Sequence, residues 1–585
     1  MARPLADEEA MTGRDAAPAR PTPLDWGAAA LVVLTSLAFA LIRVQAVNLP
    51  WHLATARLAQ ETGHWPAVNT FSYTFPNHPI FQQYPAFQGV LWAVFQHAGW
   101  GGLSVLTAVG WTGAFLLFVR WGGPWRAGVV VHPLWMFGLY ALQRRMVLRP
   151  DMFSMIALGA ELCCLDAYAR GRRWAILGVP LAHLLWANSH QLFPVSLLVQ
   201  GLFVVHVLAL RRPRFRLPSD PPAPALGPAV LALVASVALC FATPLGAEIL
   251  HAPARTAQSL SLFRQNVAEF RRVWELPFEL VLTLLTGLPA LWALWRTRRA
   301  PSVFDLGMWL MSLALVLAAV RGLMFFGVVS VAVFARASAR ARAAGVELAP
   351  GVGVSTRRTL RAFGYALTAL LCANVVYHRW ISPPRVLGGT QPGLGPSVGG
   401  WAEAATAFLR AAPPPGPMMN LGPGVGDLVI FSVPGIPVFV DSRLESYPIA
   451  FLREVMGADQ DDARMARLLE THGVQWIFAE HFRDTLRARL VHLLGKGWDP
   501  VYVDSDYLVL VRASPATAAY LAAHRIDLLR AEPADLVAAP DLRAEQRLHF
   551  ARLMRAIGAD ARAREQREAA LAESGALGAA AFAGF

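Results

Sequence analysis

A chain of 585 residues that is 55% hydrophobic and only 16% charged, with a mean hydropathy of +0.41, lies outside the range of soluble globular proteins and takes lipid as its solvent. The formal charge of +13 does not mark a nucleic-acid binder: the basic residues are nearly all arginines in short clusters between apolar runs, where no continuous basic face forms. Cys163, Cys164, Cys240 and Cys372 all fall inside apolar segments, which excludes a disulfide framework or a zinc knuckle and leaves them as packing residues.

A hydrocarbon core of about 30 Å needs about 20 apolar residues at 1.5 Å each. About eleven windows qualify, near 27–47, 102–119, 127–143, 152–168, 174–188, 190–210, 226–246, 277–295, 303–320, 322–335 and 361–378. The leader 1–26 has mixed charge, and no small-x-small cleavage site follows the first apolar run, so that run reads as a retained helix. Arginine-rich short loops stay cytoplasmic, and every second connection is basic: Arg120/Arg126, Arg170/Arg172/Arg173, Arg211/Arg212/Arg214/Arg216, Arg296/Arg298/Arg299 and the run from Arg336 to Arg361. This pattern predicts a cytoplasmic N-terminus and, after an odd number of crossings, an extracytoplasmic C-terminal domain. Arg144, Arg145, Arg149, Arg271 and Arg272 break the pattern, either as interface anchors or as ligands for an anion.

The segment 48–101 is too polar to span the bilayer and too long for a turn, so it forms an external loop within the transmembrane domain 27–380. His52 to Gly63 reads as a short amphipathic helix, Trp65-Pro66 stops it, Phe71 to Phe75 is extended, and Tyr84 to His97 reads as a second amphipathic helix. The text NLPWHLATARLAQETGHWPAVNTFSYTFPNHPIFQQYPAFQGVLW resembles the first external loop of the GT-C superfamily of membrane glycosyltransferases, with His52, Leu53, Glu61, Gly63, Pro66, Phe71, Ser72, Tyr73 and Thr74 at matching places. The resemblance implies a polytopic α-helical fold, a polyprenyl-phosphate-linked sugar as donor, and a bacterial inner-membrane location. Three departures stand out, because Asn48, Asn69 and Gln83 occupy positions where the family places acids. An amide hydrogen-bonds a sugar hydroxyl, but it takes no proton near pH 7 and binds a divalent cation more weakly than a carboxylate.

The RPD run at Arg149 to Asp151 and WANSHQLF at Trp186 to Phe193 resemble family segments at the outer ends of helices, and Glu269 in NVAEF resembles another external position. The resemblance implies that Asn48, His52, Asn69 and Gln83 line the substrate site and that Arg149 holds the lipid phosphate, with Asn188, His190 and Gln191 orienting sugar hydroxyls. Glu61 or Asp151 would deprotonate the acceptor or hold a divalent metal ion. Helix capping is the plainer role open to the polar groups at helix ends. Glu161 falls in mid-span, where a carboxylate must be protonated, paired or wet.

After residue 384 the apolar runs shorten to strand length. Met418–Leu421, Leu428–Phe431, Val438–Val440, Trp476–Ala479, Val501–Asp504 and Tyr507–Val511 read as strands, with helices near 399–411, 447–456, 461–472 and 482–494, giving a soluble α/β domain over 384–513. The text MNLGPGVGDLVIFSVPGIPVFVDSRLESY resembles the extracytoplasmic domain of a bacterial GT-C-like branch. The spacing of Gly422, Gly424 and Gly426 fits no nucleotide loop and reads as a turn, while Asp441, Arg443 and Glu445 form either a site at the membrane face or an internal salt-bridge network. The tail 514–585 is helical and reads as a cap or docking arm.

Three functions follow from these readings. The first is transfer of a sugar from a polyprenyl-phosphate carrier to an extracytoplasmic acceptor, with membrane lipids, the lipid-linked sugar and an envelope-pathway protein as partners. The second is a catalytically degenerate subunit that binds the lipid carrier or a glycan, favoured by Asn48, Asn69 and Gln83. A transporter trails both, because the sequence has no inverted repeat and no paired broken helices.

Overall fold

The computed structural model of the chain describes residues 21–80, 82–123, 131–251, 268–299, 301–348, 350–382, 387, 389–458, 460–533 and 535–573. The first part is a helical bundle: α1 Pro23–Ala40, α2 Leu49–Thr62, α3 Pro85–Gly122, α4 Val131–Leu142, α5 Asp151–Ala169, α6 Gly178–Ala187, α7 Pro194–Ala209, α8 Leu226–Leu239, α9 Pro277–Arg296, α10 Val303–Ala318, α11 Leu323–Ala343 and α12 Val354–Val376. Six stretches among the described residues are long and apolar enough to cross a membrane: α1, α3, α5, α9, Val320–Ala343 and Val354–Ile381. Helices also occupy the remaining windows among the described residues, and α6 continues directly from the 3-10 turn Arg173–Leu177.

Local chemistry sets the helix ends. The Thr22 side chain and Asp25 form a reciprocal capping box at the start of α1, and Asp25 also accepts from Tyr365 (2.7 Å) and Arg361 (3.2 Å), which fastens α12 to α1. At the end of α5 remote from Asp151, Arg336 of the almost wholly buried α11 donates to Asp305 (2.7 Å) and Asp166 (2.8 Å) and joins α11 to α10 and α5. The windows near Tyr84–His97 and 102–119 are one run, α3, bent at Gly99, whose φ of 57° and ψ of −154° only glycine takes without strain. Mid-span Glu161 is wholly buried, and neither carboxylate oxygen has a hydrogen-bond partner among the described residues.

The second part carries α13 Glu403–Ala411, α14 Pro423–Ser432, α15 Ile449–Met456, α16 Asp462–Thr471 and α17 Asp484–Leu494 around a four-stranded sheet. Its strands β1 Met418–Leu421, β2 Trp476–Glu480, β3 Trp498–Val503 and β4 Tyr507–Arg512 run in the order β1-β2-β4-β3, with β1 parallel to β2 and the other pairs antiparallel. Two expected strands are not strands. The four-residue run Leu428–Phe431 lies in α14, because Pro423 starts a helix and a short buried apolar run suits helix and strand alike. The expected glycine turn is the entry to that same helix. Val438–Val440 is extended but pairs with the external loop: Val438 N donates to Phe71 O (2.8 Å) and Tyr73 N to Val438 O (3.2 Å). After α18 Ala518–His524, the hairpin of α19 Pro540–Ala556 and α20 Asp560–Glu573 lies on this part through His549, which contacts Asp506 at 2.6 Å and stacks on Phe482.

The Phe71–Phe75 stretch is thus a strap. Tyr73 Oη donates to Met418 O (2.9 Å), Thr74 Oγ1 to Phe439 O (2.8 Å), and Phe75 packs on Phe451 (4.8 Å between centroids). Arg57 of α2 adds bonds to Ile430 O (3.3 Å) and Phe431 O (3.2 Å) at the end of α14. The loop and the α/β part therefore emerge on one side of the bundle.

The close approach of α14 to the strap-bearing segment needs a residue without a side chain. A Cβ on Gly426 would lie 2.1 Å from Val440 O and 2.9 Å from Asn420 Nδ2, whereas one on Gly424 meets nothing within 4 Å. Gly426→Ala is expected to cost about 2 kcal/mol or more, read as a lowered Tm in detergent, while Gly424→Ala leaves Tm nearly unchanged.

Candidate functional site

The N-terminal end of α5 gathers a cluster of charged side chains. Arg145, in the turn after α4, pairs with Asp151 and reaches Glu269 at 2.5 Å; Arg149 donates to Glu269 at 2.6 Å. Arg321 and His190 each stand 3.7 Å from Asp151 Oδ1, and Ser154 Oγ contacts the other ring nitrogen of His190 at 2.7 Å. Asp151 is 2% exposed and Arg145 8%. Three guanidiniums face two carboxylates, so the cluster keeps one positive charge in excess. Burial acts to raise the Glu269 carboxyl, but Arg145 and Arg149 outweigh it and hold the group at about 2.

Arg321 is a residue that the sequence reading passed over. It sits in the break between α10 and α11, where Val320 N bonds Arg271 O (2.9 Å) and the guanidinium lies over the Phe270 ring (5.1 Å). Its signal was a single arginine between two abutting apolar windows.

α2 brings His52 to the same region. His52 is buried, stacks on Trp51 and meets the edge of Tyr84 at 5.1 Å, while Tyr84 tilts toward His190 at 6.4 Å. Gln82 Nε2 donates to Gln88 Oε1, and Gln88 Nε2 contacts His52 Nδ1 at 3.1 Å. An amide nitrogen only donates, so Nδ1 accepts and Nε2 carries the proton of a neutral imidazole. Burial, followed by the charges of Arg149 and Arg443, holds His52 well below its ordinary value.

Asn69, Asp441 and Arg443 form a network across the strap. Arg443 donates to Asp441 Oδ1 (2.9 Å), Asp441 Oδ2 (2.7 Å) and Asn69 Oδ1 (2.9 Å), and Tyr447 Oη donates to Asp441 Oδ2 (2.7 Å). Arg443 Nη1 is buried with no hydrogen-bond partner. Glu445, two residues on, is exposed, whereas Arg443, Ser446 and Tyr447 around it are buried. Its charge acts on Tyr84 and Arg443. Enclosure, opposed by Arg443, pushes its carboxyl up to about 7.

The other expected residues lie apart from this centre or play plainer parts. Asn48 precedes α2 in a left-handed conformation (φ 61°) and its side chain caps nothing. Glu61 is exposed near the far end of α2. Asn188 bonds Leu184 O and Ala242 O, both at 3.1 Å, and so ties two helix ends together. Gln83 is buried with its Oε1 unpartnered, near Gln82 and Tyr84 in sequence. No group of three or more His, Cys, Asp or Glu among the described residues is placed to hold a metal ion. Asp151 and Glu269 are each engaged by guanidiniums, which repel a divalent cation, so the residues here do not fit one. A cavity of about 720 Å³ lined by Leu494, Pro500, Arg525, Ile526 and Ile557 belongs to the α/β part and shares no residue with this cluster.

No protein-family model matches the chain, and no curated protein matches its sequence. Among solved structures, it is similar to the Archaeoglobus fulgidus oligosaccharyltransferase tethered with an acceptor peptide containing the NVT sequon, at TM-score 0.50 and 12% identity over 84% of this chain and 74% of that one. The apo form of that enzyme gives TM-score 0.50 and 12% identity over 84% and 75%. ArnT from Cupriavidus metallidurans bound to undecaprenyl phosphate also matches, at TM-score 0.46 and 11% identity over 85% and 99%. Identities this low speak for the fold, and the fold is GT-C-like, as the first external loop suggested.

The charge cluster makes a stability prediction. Arg145→Met leaves buried Asp151 with only partners at 3.7 Å, and is expected to cost about 3 kcal/mol by thermal unfolding. Adding Asp151→Asn should recover much of that loss, because the uncompensated charge is then gone.

Proposed function

We propose that this protein is a GT-C-like membrane glycosyltransferase that moves a sugar from a polyprenyl-phosphate carrier to an acceptor on the extracytoplasmic face. The observation that carries this reading is the excess of guanidinium at these helix ends, where Arg145, Arg149 and Arg321 meet, among the described residues, only Asp151 and Glu269. A phosphate monoester or diester of a membrane lipid supplies the missing negative charge at the depth where such a headgroup lies. Arg149 and Arg321 are the better placed of the three, since Arg145 is already committed to both carboxylates. His52 Nε2–H adds a neutral donor for a sugar or phosphate oxygen. The oligosaccharyltransferase-like fold supports the same class of reaction.

In that reaction the acceptor oxygen attacks the anomeric carbon, the carbon–oxygen bond to the phosphate breaks, and the lipid phosphate departs with the electron pair, its charge stabilised by the arginines. The second reading, a lipid- or glycan-binding subunit without turnover, is favoured by one observation: Asn48, Asn69 and Gln83 are amides and Asp151 is held by arginine.

Two measurements test the proposal. Binding of undecaprenyl phosphate to the detergent-solubilised protein should weaken at least tenfold in Arg149→Ala and Arg321→Ala, about 1.5 kcal/mol for each lost charge-assisted contact. Equal binding by both variants would remove the arginines from the lipid site. For orientation, single cysteines at Glu61 and Arg530 should react with an impermeant maleimide applied to spheroplasts, and one at Arg299 should not; the reverse pattern would place the site in the cytoplasm.

A further inference from the structure

We infer that docking of the C-terminal hairpin on the α/β part takes up a proton, held between Asp506 and Asp535 by the hydroxyl of Ser505, so that the joint tightens in acid and loosens as pH rises. The inference is independent of the transfer reading above. The turn between β3 and β4 carries Asp504, Ser505 and Asp506, all buried, and the hairpin meets it along α19. Ser505 Oγ lies 2.6 Å from Asp535 Oδ2 and 3.1 Å from Asp506 Oδ2. A hydroxyl has one hydrogen to give, so two ionised carboxylates cannot both accept from it, and the second contact would set lone pair against lone pair. One proton on the pair resolves this. Asp506 Oδ2–H then donates to Ser505 Oγ, and Ser505 O–H donates to Asp535 Oδ2 at the short distance typical of a bond to an anion. The other contacts agree with that order: Asp535 also accepts from Ser505 N (2.8 Å) and Gln546 Nε2 (3.1 Å), and Asp506 Oδ1 accepts from His549 Nδ1 (2.6 Å). Gln546 and His549 belong to α19 and Asp535 to the segment leading into it, so the network is complete only while the hairpin is docked.

The titratable and charged groups around the pair are Glu480 and His481 at the end of β2, Arg483 and Arg487 after it, Tyr502, Asp504 and Tyr507 on the β3–β4 hairpin, and Glu545, His549 and Arg552 on α19. Arg483 is taken up by Glu480 (2.7 Å), and Arg487 by Asp484 and the carbonyls of His481 and Phe482. His481 is buried and neutral, with Nε2–H on Asp504 O (3.0 Å). Glu545 accepts from Leu387 N (2.9 Å) and stands 3.9 Å from His549 Nε2. Acids therefore outnumber bases here, with Glu480, Asp504, Asp506, Asp535 and Glu545 against Arg483, His549 and Arg552. Burial raises the Asp535 carboxyl and Asp506 adds to it, while burial and then Asp535 push Asp504 up to about 8. The proton belongs to the coupled pair and not to one residue. Because it is bound on docking and released on opening, docking weakens with rising pH, from about pH 4, where a free carboxyl titrates, to about pH 8. The apolar contact between the two parts is incomplete, since the cavity of about 720 Å³ reaches Ile557 at the end of α19, and the polar network holds the hairpin beside it.

The test is hydrogen exchange on the full-length protein in detergent, with rates divided by the intrinsic rate at each pH and the amides of β1 as internal reference. Each proton released shifts the docking equilibrium by up to about tenfold per pH unit, so protection of α19 should fall about tenfold or more between about pH 5.5 and about pH 8.5, with β1 unchanged. Asp506→Asn supplies the same donor permanently, with Nδ2–H facing Ser505 Oγ and Oδ1 still accepting from His549. In that variant α19 should stay protected at high pH and lose most of its pH dependence. Wild-type protection of α19 that does not change with pH would overturn the inference. Weaker α19 protection in Asp506→Asn at every pH would overturn it too, by making the contact an ordinary ion pair between His549 and Asp506. If the substitution also lowers β1 protection, the wild-type profile decides alone.

Discussion

A buried guanidinium must find acceptors for its N–H groups, and Arg443 finds them on both sides of the junction between bundle and α/β part. Asp441 takes two of its bonds within the α/β part, and Asn69 takes one from the external loop. Around that point the strap Phe71–Phe75 pairs with Val438 and Phe439, so the loop is held by backbone as well as by side chain. Moving the α/β part away would leave a charge and several backbone groups buried without partners, at about 1–3 kcal/mol for each polar group and more for the charge. The relative placement of the bundle and the α/β part follows from this joint.

The same arithmetic of charge explains the amide at Asn69, where the resemblance leads one to expect an acid. Asp441 and Arg443 already neutralise each other, so a carboxylate at position 69 would add an unbalanced negative charge to a buried site, whereas the Asn69 amide accepts the bond and stays neutral. Gln82 and Gln88 likewise relay hydrogen bonds to His52 without charge, and so fix its tautomer. These amides are parts of the frame.

Hydropathy made the bundle legible, because a helix in lipid must be apolar along its length, and the windows fell on helices throughout. What it could not give was the break inside a window: the 3-10 turn Arg173–Leu177 leads into α6 within one apolar run. Leu428–Phe431 failed for a related reason, since four buried apolar residues carry no periodicity. Arg149, Asp151, His190 and Glu269, singled out at helix ends in the sequence, stand in one cluster, and Tyr84 lies between His190 and His52. Arg321 was hidden because it looked like the seam between two spans, and the engagement of Asp151 by Arg145 is a tertiary fact that spacing along the chain does not encode.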